Sequence, residues 1–330
     1  MLSHRKNASN LAYIKRLFLI LLSLTGSLRG TAMENEVIAY DKLSLSELLA
    51  YSTVLVRTIS ANGQRGLGTG FIVNFCSSPT NYYPMIVSNK HVFDGVEKIH
   101  LEFTVCGTNG LPTQETYSYE ASMSDLHIVR HPVDADDGDV CAVFIGHIYK
   151  AATTLGKTLM VFPLYLCNVN KDSLASASAP LSQLVMIGYP AGMRDTVNNQ
   201  PIFRTGIAAT NPRLDYDGKK MFFVDMAVFP GSSGSPVIMY NDGSLINPYT
   251  HSISIDGQPR YALLGIVSQQ YRTVDKVSYD NPEIANNLLL SASVNVPLNI
   301  GLVIKTERIL ELQRLFFEEI QSGAIQVQDQ

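Results

Sequence analysis

The segment "GSSGSP", residues Gly231 to Pro236, carries the residue types that a nucleophilic serine requires. A serine hydroxyl is barely ionised at neutral pH, so it needs a neighbouring base and a group that stabilises the charge forming on a carbonyl oxygen. Glycine at 231 allows a sharp turn, after which the backbone N–H groups of Gly231 and Ser233 can point at one oxygen. A glycine- and serine-rich hairpin is the purely structural alternative for the same residues.

Two further polar residues stand where they could assist Ser233. His91 follows the apolar run "YPMIVSN", where a strand is expected to end, and Asp139 opens the apolar run "DVCAVFI". An imidazole that is oriented by a carboxylate can activate a serine. Asp136 and Asp137 stand nearby in "DADDGDV", but only Asp139 directly precedes the strand. The order His91, Asp139, Ser233 is that of chymotrypsin and differs from the orders of subtilisin and of the α/β-hydrolases.

The elements that must position these residues are short β-strands. Apolar and β-branched segments recur along the chain, bounded by Gly, Pro, Asn, Asp or Ser, as in an antiparallel sandwich or a pair of barrels. Residues 149–182 are the best candidate for a connector between two halves. A C-terminal helix that packs on the second half is expected from the apolar residues Ile309, Leu312, Phe316 and Ile320. Thr306 can cap this helix and Gly323 can end it.

Composition indicates an ordinary globular protein. The 330 residues are 46% hydrophobic and 16% charged, with a formal net charge of −4 and no basic run, so neither nucleic acid nor an anionic membrane surface is expected as a partner. The chain has four cysteines, Cys76, Cys106, Cys141 and Cys167. None of their spacings is a metal-site pattern, and their disulfide pairing stays open. No cofactor and no metal are expected.

Residues 1–32 are interpreted as a signal peptide or an upstream extension. Basic residues precede the apolar run "LFLILLSL", which is too short to span a bilayer comfortably, and "GTA" offers small residues at a cleavage-like position. This pattern predicts a secreted or periplasmic protein without a stable membrane span. The alternative is that Met33 is the true start and that the protein is cytoplasmic.

The chain resembles the trypsin-like serine proteases of the chymotrypsin fold (the PA clan), and most of all the bacterial V8-type and HtrA-type members. The resemblance is carried by "GTGFIV" (68–73), "SNKHVF" (88–93), "DVCAV" (139–143), "IGYPAG" (187–192), "GSSGSPV" (231–237) and "LLGIVS" (263–268). It implies an all-β fold of two perpendicular antiparallel six-stranded β-barrels followed by a C-terminal α-helix. The expected divisions are 33–155 for the N-terminal barrel, 156–304 for the connector with the C-terminal barrel, and 305–330 for the helix and tail. No PDZ module is expected after the helix.

The resemblance also implies an activity, that of a serine endopeptidase which cleaves peptide bonds through an acyl-enzyme intermediate. Ser233 would attack the scissile carbonyl, His91 would transfer the proton and Asp139 would orient the imidazole. The N–H groups of Gly231 and Ser233 would form the oxyanion hole. Proteins or peptides are the expected substrates, and the oligomeric state stays open. The alternative is a catalytically silent protein that keeps the fold for binding or as a scaffold.

The residues at the expected substrate pocket are Ala227, Ser268, Gln269 and Gln270. Ala227 stands where relatives that cleave after Arg or Lys carry an acid, and a cation buried without a countercharge costs several kcal/mol. The run "GIVSQQ" lacks the histidine with which V8-type enzymes bind glutamate. A small or medium apolar residue is therefore expected at P1, unless Asp225 or Asp256 reaches the pocket. In digestive members an Asp at the position of Ser232 pairs with a newly cut N-terminus. Activation through this ion pair is therefore not expected here.

Overall fold

A computed structural model describes residues 38–78, 81–166, 173–276 and 293–324 of the chain. The segment interpreted as a signal peptide (1–32), the alternative start Met33 and the cysteine Cys167 lie outside the described residues. Within the described part, no helix is long and apolar enough to cross a membrane.

The N-terminal half is a sheet of nine strands. Its strands are β1 (Thr53–Ser60), β2 (Arg65–Ser78), β3 (Asn81–Ser88), β4 (Val96–Cys106), β5 (Pro112–Ser122), β6 (Ile128–Arg130), β7 (Cys141–Phe144), β8 (Thr158–Leu159) and β9 (Leu164–Tyr165). The order is β5-β4-β1-β2-β3-β7-β6, with β8 antiparallel to β4 and β9 parallel to β2. Because alternate side chains of a strand share a face, one core collects Val54, Val56, Ile72, Ile86, Ile99 and Leu101.

This half departs from the expected closed six-stranded barrel. In the described residues β6 pairs with β7 alone and β5 with β4 alone, so the path of strands has two open ends. The strand β6 is only three residues long, and Pro132, which follows shortly after it, has no N–H with which to extend the ladder. The strands β8 and β9 come from the segment expected to connect the halves, and both pair with this sheet.

The C-terminal half confirms the expected closed barrel of six strands. Its order is β10-β11-β12-β17-β16-β13. The strands are β10 (Gln183–Gly188), β11 (Ile202–Ala208), β12 (Met221–Asp225), β13 (Pro236–Asn241), β16 (Arg260–Lys276) and β17 (Ser293–Lys305). Between them, β14 (Ser244–Ile246) and β15 (Ile253–Ile255) form a separate two-stranded sheet. The barrel core includes Leu184, Met186, Phe222, Val224, Val237 and Val303.

The described α-helices are α1 (Leu45–Ala50), α2 (Lys90–Phe93), α3 (Gly146–Thr154), α4 (Ser173–Ser176) and α5 (Thr306–Gln321). The last of them confirms the expected C-terminal helix, and Gly323, in the left-handed region at φ 72°, follows its end. The expected cap is wrong. Lys305 is the N-cap, and Thr306 begins the helix with its hydroxyl donating to the Leu263 carbonyl (2.9 Å).

The helix α5 packs against both halves of the molecule, and not only against the second. Its apolar face is formed by Ile309, Leu312 and Phe316, all fully buried. These side chains share one cluster with Phe75 and Tyr83 of the first sheet and with Ile238 and Ile304 of the barrel. A single apolar core therefore joins the sheet, the barrel and the helix.

Candidate active site

The first element of the site is the short helix α2, which carries His91 directly after β3. Its apolar residues Val92 and Phe93 are buried, and a side chain at position 68 would collide with Val92. Because the buried pair anchors α2 to the sheet, His91 is left on the outer side, where its side chain is 46% exposed. A strand end followed by an anchored turn thus holds the imidazole at the surface of the cleft.

Asp139 meets this imidazole. It follows the 3₁₀ turn Asp136–Gly138 and precedes β7. Its Oδ2 lies 2.7 Å from Nδ1 of His91, and its Oδ1 accepts a hydrogen bond from the backbone N–H of His91 (3.1 Å). The amide of Asn89 donates to the Asp139 carbonyl (2.7 Å), which fixes the backbone of this residue as well.

Burial opposes ionisation of the Asp139 carboxyl, but the hydrogen bonds and electrostatic attraction of His91 outweigh it, together with the hydrogen bond from the Ser268 hydroxyl. The pKa of Asp139 is therefore lowered. An ionised carboxylate can only accept hydrogen bonds, so Nδ1 of His91 is the protonated nitrogen. The other nitrogen, Nε2, makes no hydrogen bond within the described residues. It is the nitrogen that a general base needs.

The two neighbouring carboxylates point elsewhere. Asp136 forms an exposed ion pair with Lys219 (2.9 Å). Asp137 is buried, where it accepts hydrogen bonds from Arg308 and from the backbone N–H of Lys220. Of the three acids in "DADDGDV" closest to β7, only Asp139 is bonded to His91.

Ser233 lies in a sharp turn between β12 and β13. The turn contains two glycines in the left-handed region, Gly231 at φ 90° and Gly234 at φ 89°. A Cβ at Gly231 would approach the Tyr189 carbonyl to 2.5 Å. The Ser233 hydroxyl donates to the Ser268 carbonyl (3.2 Å), and in the described residues no hydrogen bond joins it to His91.

The N–H groups of Gly231 and Ser233 are unengaged. The carbonyl of Pro230 accepts from Ala191 N–H (2.6 Å), and the carbonyl of Ser232 accepts from Ser235 N–H (3.0 Å). In a trans peptide the carbonyl and the N–H of one unit point in opposite directions. The two N–H groups therefore point away from these partners, and neither makes a hydrogen bond within the described residues. A pair of donors of this kind can receive an anionic oxygen.

His91, Asp139 and Ser233 line one cavity of about 630 Å³. The other lining residues are Lys90, Asp94, Asp134, Ala135, Asp136, Val228, Phe229, Pro230, Ser268 and Gln269. Two of the expected pocket residues, Ser268 and Gln269, are thus at the cavity. Ala227 is not among its lining residues, and the side chain of Gln270 lies outside the described part of the chain.

Sequence reasoning missed one contact at the centre of the site. The Ser268 hydroxyl donates to Oδ2 of Asp139 (2.8 Å), while the Ser268 carbonyl receives the Ser233 hydroxyl. Ser268 therefore contacts both sides of the site. The motif "LLGIVS" points to this serine, but no local pattern says that it reaches a carboxylate so far away in the sequence.

Among the described residues, no three His, Cys, Asp or Glu side chains are grouped so that they could hold a metal ion. Cys76 is disulfide-bonded, whereas Cys141 is a buried free thiol. Burial raises the pKa of Cys141 to about 12, so its thiol stays protonated and unreactive.

The sequence profile of the trypsin-like peptidase domain matches residues 68–246, more than half of the chain, and this span includes His91, Asp139 and Ser233. The chain belongs to the trypsin-like peptidase family. The resemblance seen in the sequence motifs is therefore confirmed. A search of curated proteins found no match to this trypsin-like peptidase.

Three solved serine protease structures are similar to the trypsin-like peptidase. The HtrA-type protease AlgW, solved with a tripeptide, is 15% identical at a TM-score of 0.42, and the match covers 83% of this chain and 62% of AlgW. The active form of the Rv3671c protease from M. tuberculosis is 15% identical at a TM-score of 0.40, over 87% of this chain and 93% of that one. The serine endoprotease from Yersinia pestis is 18% identical at a TM-score of 0.41, and the match covers 82% of this chain and 67% of that one. This chain thus spans less than two thirds of AlgW.

Proposed function

We propose that this trypsin-like peptidase is an active serine endopeptidase with His91, Asp139 and Ser233 as its catalytic residues. The observation that carries the proposal is the shared cavity, which brings together a carboxylate-bound imidazole and a serine hydroxyl, next to a turn with two unengaged N–H groups. Each group matches one requirement of acyl transfer: a general base, a nucleophile and a site for negative charge.

The proposed reaction follows from these positions. The Ser233 hydroxyl leaves the Ser268 carbonyl and attacks the scissile carbonyl, while Nε2 of His91 takes the proton. The N–H groups of Gly231 and Ser233 receive the oxyanion. When the intermediate collapses, His91 returns the proton to the leaving amine, and Ser233 holds the acyl group as an ester. A water molecule, deprotonated by His91, then hydrolyses this ester and restores the Ser233 hydroxyl.

One observation favours the alternative of a silent scaffold, namely that Ser233 bonds to Ser268 and not to His91. Catalytic hydrogen bonds are often long or badly aligned without substrate, so this contact does not outweigh the unengaged N–H pair. A protein kept only for binding has no need for two donors aimed at one anion.

The test is covalent labelling with a fluorophosphonate probe, which reacts with activated serines. Wild type should be labelled and Ser233→Ala should not. Ser235→Ala is the matched control, because Ser235 is fully buried two residues away and should leave labelling intact. An unlabelled but folded wild type, or a labelled Ser233→Ala variant, would establish the scaffold alternative or a different nucleophile.

We further propose a small or medium apolar residue at P1. The groups that line the cavity beside Ser233 along the chain are Val228, Phe229 and Pro230, none of which carries a charge. An Arg or Lys side chain desolvated against these three residues would find no countercharge among them, because the acidic lining residues Asp94, Asp134 and Asp136 belong to the N-terminal half. Cleavage of a peptide library, read by mass spectrometry, should show Ala, Val, Ser or Leu at P1. A dominant Arg, Lys or Glu preference would contradict the proposal.

Export through residues 1–32 is also proposed. Disulfides persist in oxidising compartments, and the disulfide at Cys76 supports such a destination. The full chain and a variant that begins at Met33 can be compared by cell fractionation. The full chain should leave the cytoplasm and the variant should stay in it. Retention of both in the cytoplasm would favour Met33 as the true start.

A further inference from the structure

The turn that holds Ser233 belongs to the barrel, yet one residue of the N-terminal sheet forms two hydrogen bonds with it. Thr69 lies on β2 and is fully buried. Its backbone N–H donates to the Ser233 carbonyl (2.8 Å), and its hydroxyl donates to the Gly231 carbonyl (2.8 Å). The same hydroxyl accepts from Tyr189 N–H (3.1 Å), and the Thr69 carbonyl accepts from the Ser88 hydroxyl (2.7 Å).

With these bonds, every carbonyl along the turn accepts a hydrogen bond. From Phe229 to Ser233, the carbonyls accept in order from Ser232 N–H, Ala191 N–H, the Thr69 hydroxyl, Ser235 N–H and Thr69 N–H. Thr69 supplies two of these five donors. With each carbonyl held outward, none is left to rotate into the place where the oxyanion of the substrate must sit. A carbonyl there would repel the anion and remove an N–H donor at the same time.

The space around Thr69 is too tight for another group to take over its role. A Cβ at Gly234 would lie 1.8 Å from the Thr69 carbonyl, and a Cβ at Gly188 would lie 2.8 Å from the Thr69 hydroxyl. In Thr69→Val a methyl group takes the place of the hydroxyl at this fully buried position, so no water molecule can replace it. Without it, the Gly231 carbonyl and the Tyr189 N–H would both lose a buried partner, which is costly unless the turn rearranges.

We propose that Thr69 is a positioning residue, whose hydroxyl holds the Gly231–Ser233 turn in its anion-receiving shape before substrate arrives. This inference rests on the proposed function of the site and deepens it. It assigns part of the oxyanion machinery to the N-terminal sheet, which otherwise contributes His91 and Asp139. The hydrogen bond from its hydroxyl also explains why position 69 carries a hydroxyl between two glycines.

The decisive variants are Thr69→Val, which keeps the shape but removes the hydroxyl, and Thr69→Ser, which keeps it. Removal of one oxyanion donor costs on the order of 10²–10³ in kcat, so Thr69→Val should lower kcat about 10²-fold with little change in KM. Thr69→Ser should stay within about threefold of wild type. The matched control is Ser88→Ala, which removes the bond to the Thr69 carbonyl but no hydrogen bond to the turn itself, and should keep kcat near the wild-type value.

A second readout separates this inference from the proposed function. A crystal structure of Thr69→Val should show a rotated peptide between Pro230 and Ser233, whether or not the protein is an active enzyme. An unchanged turn in that variant would overturn the inference, as would equal losses of kcat in Thr69→Val and Thr69→Ser, or in Thr69→Val and Ser88→Ala. A failure of the proposed function shows itself differently, as a wild type that does not react with the fluorophosphonate probe.

Discussion

The two sides of the cavity are held by different kinds of interaction. The hydrogen bonds that fix the turn around Ser233 come from neutral groups: backbone amides, carbonyls and the hydroxyls of Thr69 and Ser232. The loop before Asp139 is fixed largely by charges. Asp137 meets Arg308 of α5, and Lys90 donates to the carbonyls of His131 and Val133 (3.1 and 2.9 Å). We therefore expect acid to disturb the Asp139 side and to leave the Ser233 turn in place.

The charged side extends deep into the molecule. Arg308 also donates to Glu311 (2.7 Å), which in turn bonds the buried His131 (2.7 Å). Burial opposes ionisation of both Asp137 and Glu311, but the hydrogen bonds and charge of Arg308 prevail and lower the pKa of each. Through this chain of contacts, the C-terminal helix supports the loop that positions Asp139.

The largest effect should come from removing one chemical group on either side. Ser233→Ala and His91→Ala should each lower kcat by roughly 10⁶-fold, and the double variant should lose little more, because the two residues act as one unit. Steady-state hydrolysis of a peptide substrate measures the three variants. Additive losses would show that the two sides do not cooperate.

A smaller effect distinguishes the two acids of the charged side. Asp139→Asn should lower kcat on the order of 10⁴-fold by favouring the wrong imidazole tautomer, as the same change does in a serine protease of the chymotrypsin fold. Asp137→Asn is the matched comparison and should lower stability while keeping kcat within about tenfold of wild type. If the two variants exchange these phenotypes, the carboxylate that serves His91 has been assigned wrongly.

A stability effect should follow from Arg308→Met. The Arg308 side chain is 14% exposed and that of Asp137 is 4% exposed, so the variant leaves a buried carboxylate without its cation. The free energy of unfolding at pH 7, measured with denaturant, should fall by about 3 kcal/mol.

Lys219→Met provides the control on the same loop. The Lys219–Asp136 pair is 40% and 50% exposed, and solvent screens it, so the loss should be about 0.5 kcal/mol or less. Equal losses in the two variants would mean that burial does not distinguish the pairs.

The smallest expected effect is a difference in pH dependence. The pKa values of Asp137 and Glu311 are lowered in the folded state, so their contribution to stability is complete at neutral pH and is lost as the pH falls through the folded pKa values. The gap in unfolding free energy between wild type and Arg308→Met should therefore narrow below about pH 5. The gap for Thr69→Val should stay constant, because none of its hydrogen-bond partners titrates. If both variants showed the same pH dependence of the unfolding free energy, the two sides of the cavity would not differ in how they are held.

The sequence predicted those parts of the site that are local in the chain. "SNKHVF" ends a strand and "DVCAV" begins one, so both polar residues were expected at strand ends, and the structure brings His91 and Asp139 to 2.7 Å. The contacts of Ser268 and Thr69 were not predictable in this way. They join residues 129 and 162 positions apart, and no local pattern encodes such a separation.

The fold was predicted unevenly for a related reason. The spacing of the apolar strands indicated a sandwich or a pair of barrels, and the resemblance to the trypsin-like proteases implied the closed barrel that the second half forms, where each strand finds two neighbours. The sheet of the first half does not close, because its end strands β5 and β6 do not pair with each other and β6 is only three residues long. The length of a strand and the pairing of an edge strand depend on tertiary context more than on the local sequence pattern. For α5, helical spacing predicted the apolar face, whereas the choice of both halves as its packing surface is a tertiary outcome.

The position of α5 has a consequence for how the protein is made. The helix completes the core of the first sheet, and Arg308 follows its partner Asp137 by 171 residues. At about 5–20 residues per second, a ribosome needs roughly 10–30 s to cover that distance. During this interval the chain contains His91 and Asp139 but lacks the helix that steadies their loop. We therefore expect the proposed peptidase activity to appear only in a chain that includes the C-terminal helix, so that an unfinished chain does not cut itself or its neighbours.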